Sequence, residues 1–360
     1  MKLTDKKHRF PYEWTLKDAN FTKDKGTVFS CFACGGGSTM GYKLAGFDVL
    51  GCNEIDPKMI EAYKANHNPK YAYLEPIQTF KLRKYLPKEL YNLDILDGSP
   101  PCSSFSMAGN REKDWGKEKV FREGQAEQVL DTLFFDFIDL AKELQPKIVV
   151  AENVSGMMMG TAKEYVKKVY TAFQDAGYQL RIEPYLLDAS TMGVPQRRKR
   201  VFFIALRNDL APKFMEQIDM FQTAPKLELN FNEPEITYKH IRQEKGTGKI
   251  NIGDSTLKYW RLTPPGEYLS FAHPKGSYFN EYKCHPDKVV PTIRGKCFPF
   301  DYIIERKLYT EEGCKAGSYP LDYDFNKILP SYLIGMSVPP VMVANIATEI
   351  YNQWLNKLGE

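Results

Sequence analysis

Cys102 stands in the segment DGSPPCSSFS (97–106), where two prolines fix the backbone just ahead of the thiol and hold it in one direction. A nucleophile needs such presentation and a space-filling cysteine does not. A free thiol titrates near ~8.5, so a reactive one wants a cation or a helix N-terminus, and the helix-favouring residues that follow could supply the latter. A buried, inert thiol is the competing reading. In AENV (151–154), Glu152 and Asn153 emerge from the apolar run Ile148, Val149 and Val150. Desolvation there should favour the protonated carboxyl, which could donate a proton; a loop cap or an arginine partner is the bland alternative. In VPQRRKRVFF (194–203), a strand would send Gln196, Arg198 and Arg200 to one face and Arg197 and Lys199 to the other. A charged, solvated edge strand would look the same.

A fourth segment, FACGGGSTMG (32–41), sets a glycine-rich turn ahead of a helical stretch, so backbone amides face the positive end of a helix and a nucleotide-like cofactor could sit there. Glu54, 19 positions after Gly35, is placed to take two ribose hydroxyls. The glycines read GGGxxxG and not GxGxxG, which does not meet the pyrophosphate fingerprint of a nicotinamide enzyme. A turn chosen only for tight packing is the alternative. Cys31 and Cys34 form a CxxC with no second pair nearby, and Cys284, His285, Cys297 and Cys314 lack ligand spacing, so no metal site is expected.

The elements that must position these residues form a regular series from Thr27 to about Asn208, where short β-rich runs alternate with helical patterns as in an α/β domain with a mainly parallel sheet. Strands are expected at 27–32, 48–53, 93–98, 147–153, 178–187 and 200–206. Each chemical segment sits at the end of one, except the arginine run, which precedes one. Leu130, Leu133, Phe134, Phe137, Ala141 and Leu144 repeat at helical spacing until Pro146, and Val166, Val169, Tyr170 and Phe173 do so until Gly177. After Asn208 the rhythm fails, and a stretch rich in Pro, Gly, aromatic and basic residues runs to about Tyr323. Val343, Ile346, Ala347, Ile350 and Trp354 then line one face of a terminal helix. The expected organisation is an N-terminal arm (1–26), a main domain (27–208 with 324–360) and an irregular insert (209–323).

The 360 residues include 43% hydrophobic and 26% charged, with a mean hydropathy of −0.44, as in a soluble globular chain with a real core. No apolar run approaches the ~18 to 20 residues of a membrane span, and the opening MKLTDKKHRF lacks a signal's apolar stretch, so a cytosolic protein is expected. Seven cysteines at irregular spacing argue for free thiols. The net charge of +4 permits a polyanion without demanding one.

The ordered set of glycine turn, Glu54, Pro-Pro-Cys, Glu-Asn-Val and Gln-x-Arg-x-Arg resembles the DNA cytosine-5 methyltransferases, and the resemblance covers nearly the whole chain. GMSVPPVMVANIA (335–347) looks like the family's last motif. The resemblance implies a Rossmann-like, mostly parallel S-adenosylmethionine-dependent methyltransferase fold with a smaller irregular target-recognition domain at 209–323. It implies cofactor contacts from Phe32, Ala33, Gly35, Gly36, Gly37, Glu54, Ile55, Ile77, Pro100, Leu133, Ser337 and Val338. Cys102 would attack C6 of a flipped-out cytosine, Glu152 would contact its N3 and N4, and Arg198 and Arg200 would lie near the base and its phosphates. Ser104, Gln196, Arg197 and Lys199 would meet DNA.

The partners implied are double-stranded DNA and, acting separately, a cognate restriction endonuclease, with the enzyme a monomer. Basic residues of the insert (Arg242, Lys245, Lys249, Lys258, Arg261, Lys275, Lys283) suit phosphates. Its aromatics, Tyr259, Trp260, Tyr268, Phe271, Tyr278 and Phe279, read mostly as core. Cys34, Pro76, Ser103 and Met336 depart from the family pattern and bear on cofactor contacts. A tRNA cytosine-5 methyltransferase is the runner-up, although its Cys-Phe-Thr signature is absent; a catalytically silent DNA-binding homologue would have no reason to keep both Cys102 and Glu152. An exocyclic-amine methyltransferase would need an Asp/Asn-Pro-Pro-aromatic motif in place of Ser99–Cys102.

Overall fold

The computed structural model describes residues 8–101, 132–159, 162–218, 220, 222–295 and 297–359, with the backbone of 118–119 and 128–129. Two compact units emerge. One comprises 21–187, 199–230 and 346–360.

Its centre is an eight-stranded sheet. The strands are β1 (Thr27–Cys31), β2 (Asp48–Glu54), β3 (Tyr71–Leu74), β4 (Ile95–Gly98), β5 (Ile148–Val154), β6 (Tyr178–Gln179), β7 (Tyr185–Asp188) and β8 (Lys199–Arg207). They lie in the order β3-β2-β1-β4-β5-β8-β6, with β7 also on β8. The pairs from β3 to β5 are parallel; β8 runs antiparallel to β5 and β6. The chain builds outward from β1 in both directions, so the β1/β4 boundary is a topological switch point, and ligands of open α/β sheets gather beyond the strand C-termini there.

Five expected strands form close to their expected bounds, whereas 178–187 splits into β6 and β7 around 180–184. The four-residue edge strand β3 was not foreseen, because its residues are mostly half-exposed and show no alternation. Crossovers are α1 (Gly37–Leu44), α2 (Pro57–His67), α3 (Ile77–Phe80), α4 (Leu133–Leu144) and α5 (Ala162–Asp175). Phe134, Phe137, Ile138, Ala141 and Leu144 of α4 join Val166, Val169 and Phe173 of α5 in one core against Phe29, Leu96, Val149 and Phe203. Each fully buried Phe or Leu is worth about 2 kcal/mol of transfer free energy. Gly98 matters here, since a Cβ would stand 2.5 Å from the Phe137 ring. Leu130 lies outside the described residues.

The other unit takes residues up to Asn20, 188–198 and 231–345. It has short helices, α6 (Tyr238–Ile241), α7 (Asp254–Leu262), α8 (Thr310–Ala316) and α9 (Pro330–Met336), and a small apolar cluster of Trp260, Leu269 and Phe300. Charge supplies what apolar packing does not. The fully buried Asp301 accepts from Arg242 Nε (2.7 Å), Arg306 Nη2 (3.1 Å), Tyr238 Oη (2.9 Å) and the amides of Ile303 and Ile304. Arg306 also grips Glu312 at 2.7 Å. A buried pair is stabilising only when its remaining polar atoms are satisfied, as these are to a large extent. Trp260 is core as expected and Tyr259 and Tyr278 pack at its margin, but Phe271 and Phe279 are each 68% exposed. The N-terminal segment is anchored, with Trp14 Nε1 donating to the Ser318 carbonyl at 2.9 Å.

The chain ends in α10 (Pro340–Ile350) and a π-helical turn at Tyr351–Leu355, where Trp354 donates to the Lys226 carbonyl at 2.7 Å. The helical run Pro330–Leu358 is long and apolar enough to cross a membrane (hydropathy 1.4), which the sequence reading did not pick out. It is 83% buried in its most apolar window, as in the core helix of a folded domain.

Candidate active site

Glu152 sits near the C-terminal end of β5, only 8% exposed. Its Oε1 receives Arg200 Nε at 2.8 Å. The antiparallel register explains the meeting: Arg200 at the start of β8 pairs with Val154 at the end of β5, and Phe202 with Glu152. Of the sequence readings of this carboxyl, the arginine partner is the one found. Burial pulls the Arg200 guanidinium below its usual range, with Glu152 opposing that pull.

Asn153 next to it donates from Nδ2 to the Pro100 carbonyl at 3.0 Å, and Gly98 of β4 pairs with Ala151 of β5. The strand that carries the carboxyl thus grips the segment that leads into the cysteine. Pro100 is buried and Pro101 half-buried. Cys102, Ser103 and Ser104 lie outside the described residues.

At the switch point the turn 32–37 is wound by left-handed residues, Phe32 (φ 52°), Cys34 (φ 50°) and Gly36 (φ 86°). Glu54, buried at the end of β2, closes it: Oε2 accepts from the Cys34 amide at 2.7 Å, and Oε1 from the amides of Ile55 (2.8 Å) and Asp56 (2.9 Å). Burial raises the Glu54 carboxyl while these amides lower it. Behind the turn, His67 of α2 reaches the Gly35 carbonyl at 3.2 Å, and a Cβ on Gly36 would stand 2.2 Å from its Nε2. Burial drives that imidazole down to about 3, so it braces the turn uncharged. Sequence reasoning passed over His67, whose only mark was its place on a helix following Glu54.

Cys34 occupies a conformation that costs a side-chain-bearing residue about 1 kcal/mol or more. Cys34→Gly is expected to hold or raise stability by up to about 1 kcal/mol, whereas Cys34→Val, β-branched at positive φ, should lose about 2 kcal/mol. Urea unfolding of the three proteins measures this; equal midpoints would show that the backbone there is unstrained.

The other expected site residues divide. Phe32, Ala33 and Ile55 are half-buried near the turn, whereas Ile77 and Leu133 are buried in the main core. In the 188–198/231–345 unit, Gln196 (1% exposed) donates to the Ala316 carbonyl at 3.2 Å and accepts from the Ile293 amide at 3.0 Å. Arg198 (2% exposed) donates to the carbonyls of Ile293 (3.3 Å) and Gly335 (2.8 Å). Both hold backbone. Arg197 is exposed but paired with Glu235 at 2.8 Å, and Lys199 is exposed. Ser337 and Val338 are buried, with Ser337 Oγ donating to the Leu333 carbonyl at 2.8 Å. Among the described residues no group of three His, Cys, Asp or Glu side chains could hold a metal ion.

Residues 26–352 match the family model of the C-5 cytosine-specific DNA methylase. The chain is similar to the type II methyltransferase M.FnuDI of Fusobacterium nucleatum, 34% identical over 51% of this chain and 47% of that one. It is also similar to M.NgoPII of Neisseria gonorrhoeae, 34% identical over 52% and 50%. The chain thus spans about half the length of these relatives. A longer, weaker match is to M.MthTI of Methanothermobacter thermautotrophicus, 26% identical over 90% of this chain and 96% of that one. Among solved structures, a prophage-encoded DNA modification methyltransferase of E. coli superposes with a TM-score of 0.66 at 20% identity, over 93% of this chain and 99% of the other. Spodoptera frugiperda DNMT2 does so at 0.61 and 16%, over 90% and 99%. These likenesses show a shared fold, a Rossmann-like, mostly parallel sheet flanked by helices. The chain belongs to the C-5 cytosine-specific DNA methylase family.

Proposed function

We propose that the protein is a sequence-specific DNA cytosine-5 methyltransferase acting through a covalent Cys102–C6 adduct. The observation that carries this reading is Glu152, buried at the end of β5 with Oε1 on Arg200, on the strand whose Asn153 holds the approach to Cys102. C5 of cytosine is too electron-poor to accept a methyl group unaided. Addition of the Cys102 thiolate at C6, with Glu152 providing a proton or hydrogen bond at N3, moves electron density to C5. Arg200 on one carboxyl oxygen leaves the other for the ring. C5 would then take the methyl group from the donor's sulfonium sulfur, which leaves as a neutral thioether. Loss of the C5 proton to a base, with expulsion of the Cys102 thiolate from C6, restores the ring double bond.

S-adenosylmethionine supplies the methyl group on its sulfonium. The turn fits such a nucleoside: the Cys34 amide is taken by Glu54, and a buried carboxylate repels a pyrophosphate while offering an acceptor to ribose hydroxyls. Phe32–Gly37, Glu54 and Ile55 would hold the donor; the family resemblance also implies donor contacts from Ser337 and Val338. Residues 209–323 would serve target recognition, and 27–208 with 324–360 catalysis. Because C6 is hidden in the base stack, the cytosine must be flipped out at a cost of a few kcal/mol, which contacts to the duplex offset. In this reading Gln196 and Arg198 shape the backbone they bond to, and Lys199 and, exchanging Glu235 for phosphate, Arg197 would meet DNA. The protein would act as a monomer in the cytoplasm, with any cognate endonuclease acting separately.

Incubation with tritiated S-adenosylmethionine and a mixture of duplex DNA and tRNA should place label on DNA, at a sequence context that bisulfite sequencing then reads. Label on tRNA alone would overturn the substrate.

A further inference from the structure

We propose that Asp97 is a positioning residue for the methyl-donor site: its carboxyl fastens the strand leading to Pro100 and Cys102 to the helix that follows the glycine turn. Asp97 is 4% exposed on β4, between the apolar Leu96 and Gly98. Ser30 of β1 donates to Oδ2 at 2.9 Å and Tyr42 of α1 to Oδ1 at 3.1 Å. The hydroxyl of Ser38, in the first turn of α1, also bonds to it. One carboxyl thus joins three elements, one delivering the cysteine segment and two flanking the turn 32–37. A residue that merely filled the space would be apolar, as Ile95 and Leu96 are, since a buried acid without a cation is costly.

Among the described residues the titratable groups facing Asp97 include no such cation. They are Cys31 from β1, Tyr42 from α1, Tyr63 from α2 and Glu152 from β5. Burial pushes the Asp97 carboxyl up to about 7, with Glu152 adding to the rise and the hydroxyls opposing it. Above that pH the carboxylate accepts from all its hydroxyl donors; below it one oxygen carries a proton and the fastening loosens. Stability moves the other way. The folded value lies above the unfolded ~3.9, so the folded protein binds more protons across the window from about 4 to about 7, and this contribution is lost as pH rises through about 7.

The inference rests on the S-adenosylmethionine reading above, and calorimetry of S-adenosylmethionine binding without DNA separates the two. Wild-type affinity is expected to weaken about tenfold from pH 8 to pH 6, against the stability trend. Asp97→Asn should bind about tenfold more weakly at pH 8 and lack the Asp97 inflection. Tyr42→Phe, which keeps the carboxyl and the ring packing, should lose about threefold and keep the inflection. A folded Asp97→Asn protein with wild-type affinity and pH profile overturns the proposal. If that variant does not fold, Tyr42→Phe decides: weaker binding at an unchanged melting temperature supports it, and unchanged binding overturns it. A wild-type protein that binds no S-adenosylmethionine overturns both readings.

Discussion

Cys102→Ser is expected to lower methyl transfer by about four orders of magnitude or more and to abolish the covalent complex with duplex DNA containing 5-fluorocytosine. Serine keeps the size and the proline-fixed backbone but brings a hydroxyl that is scarcely ionised at neutral pH. Fluorine at C5 normally stops the reaction at the adduct because no proton can leave. Denaturing gels of labelled duplex read the adduct directly, and tritium transfer reads turnover. The alternative nucleophiles are poor. Burial raises the thiols of Cys31, Cys52, Cys284, Cys297 and Cys314, which disfavours their thiolates. Cys34 is half-buried with its sulfur 3.6 Å from that of Met59. An adduct that persists in Cys102→Ser would remove Cys102 from its role, and a second substitution at Cys34 would then find the attacking group.

Much of the site was legible because a buried parallel strand announces its end. The run before Glu152 is apolar on both faces and gives way abruptly to polar residues, the run before Gly98 ends at the Gly-Ser-Pro-Pro turn, and the structure puts both ends at the same edge. What a polar face meets was not legible. The alternation of Gln196, Arg198 and Arg200 against Arg197 and Lys199 is seen in their burial, yet Gln196 and Arg198 turn to main-chain carbonyls. Arg200 finds Glu152 only through the antiparallel register of β8, a long-range fact with no local signal. Asp97 is similar: an acid inside LDILDG reads as a strand-end residue until Ser30 and Tyr42 are seen to close on it. The periodicity fails after Asn208, and from 231 onward Asp301, Arg306 and Glu312 organise much of the interior, which patterns of apolar residues cannot report.

Glu152→Gln is expected to slow turnover about a thousandfold while S-adenosylmethionine binding stays within about twofold of wild type. The amide keeps an oxygen for Arg200 Nε, so the half-buried guanidinium retains an acceptor and the fold should melt near the wild-type temperature. Glu152→Ala would strand that cation and cost about 3 kcal/mol or more of stability, which confounds any rate. Glutamine can still hydrogen-bond a ring nitrogen, so the extruded base should be held. It has no proton of suitable acidity to deliver, so C6 stays unreactive toward the thiolate and the loss falls on adduct formation. Single-turnover measurement of adduct and methyl transfer should show both falling together. If adduct forms at the wild-type rate and only methyl transfer slows, the carboxyl acts after addition; if cofactor binding falls as far as turnover, the Glu152–Arg200 pair supports the fold and takes no part in the reaction.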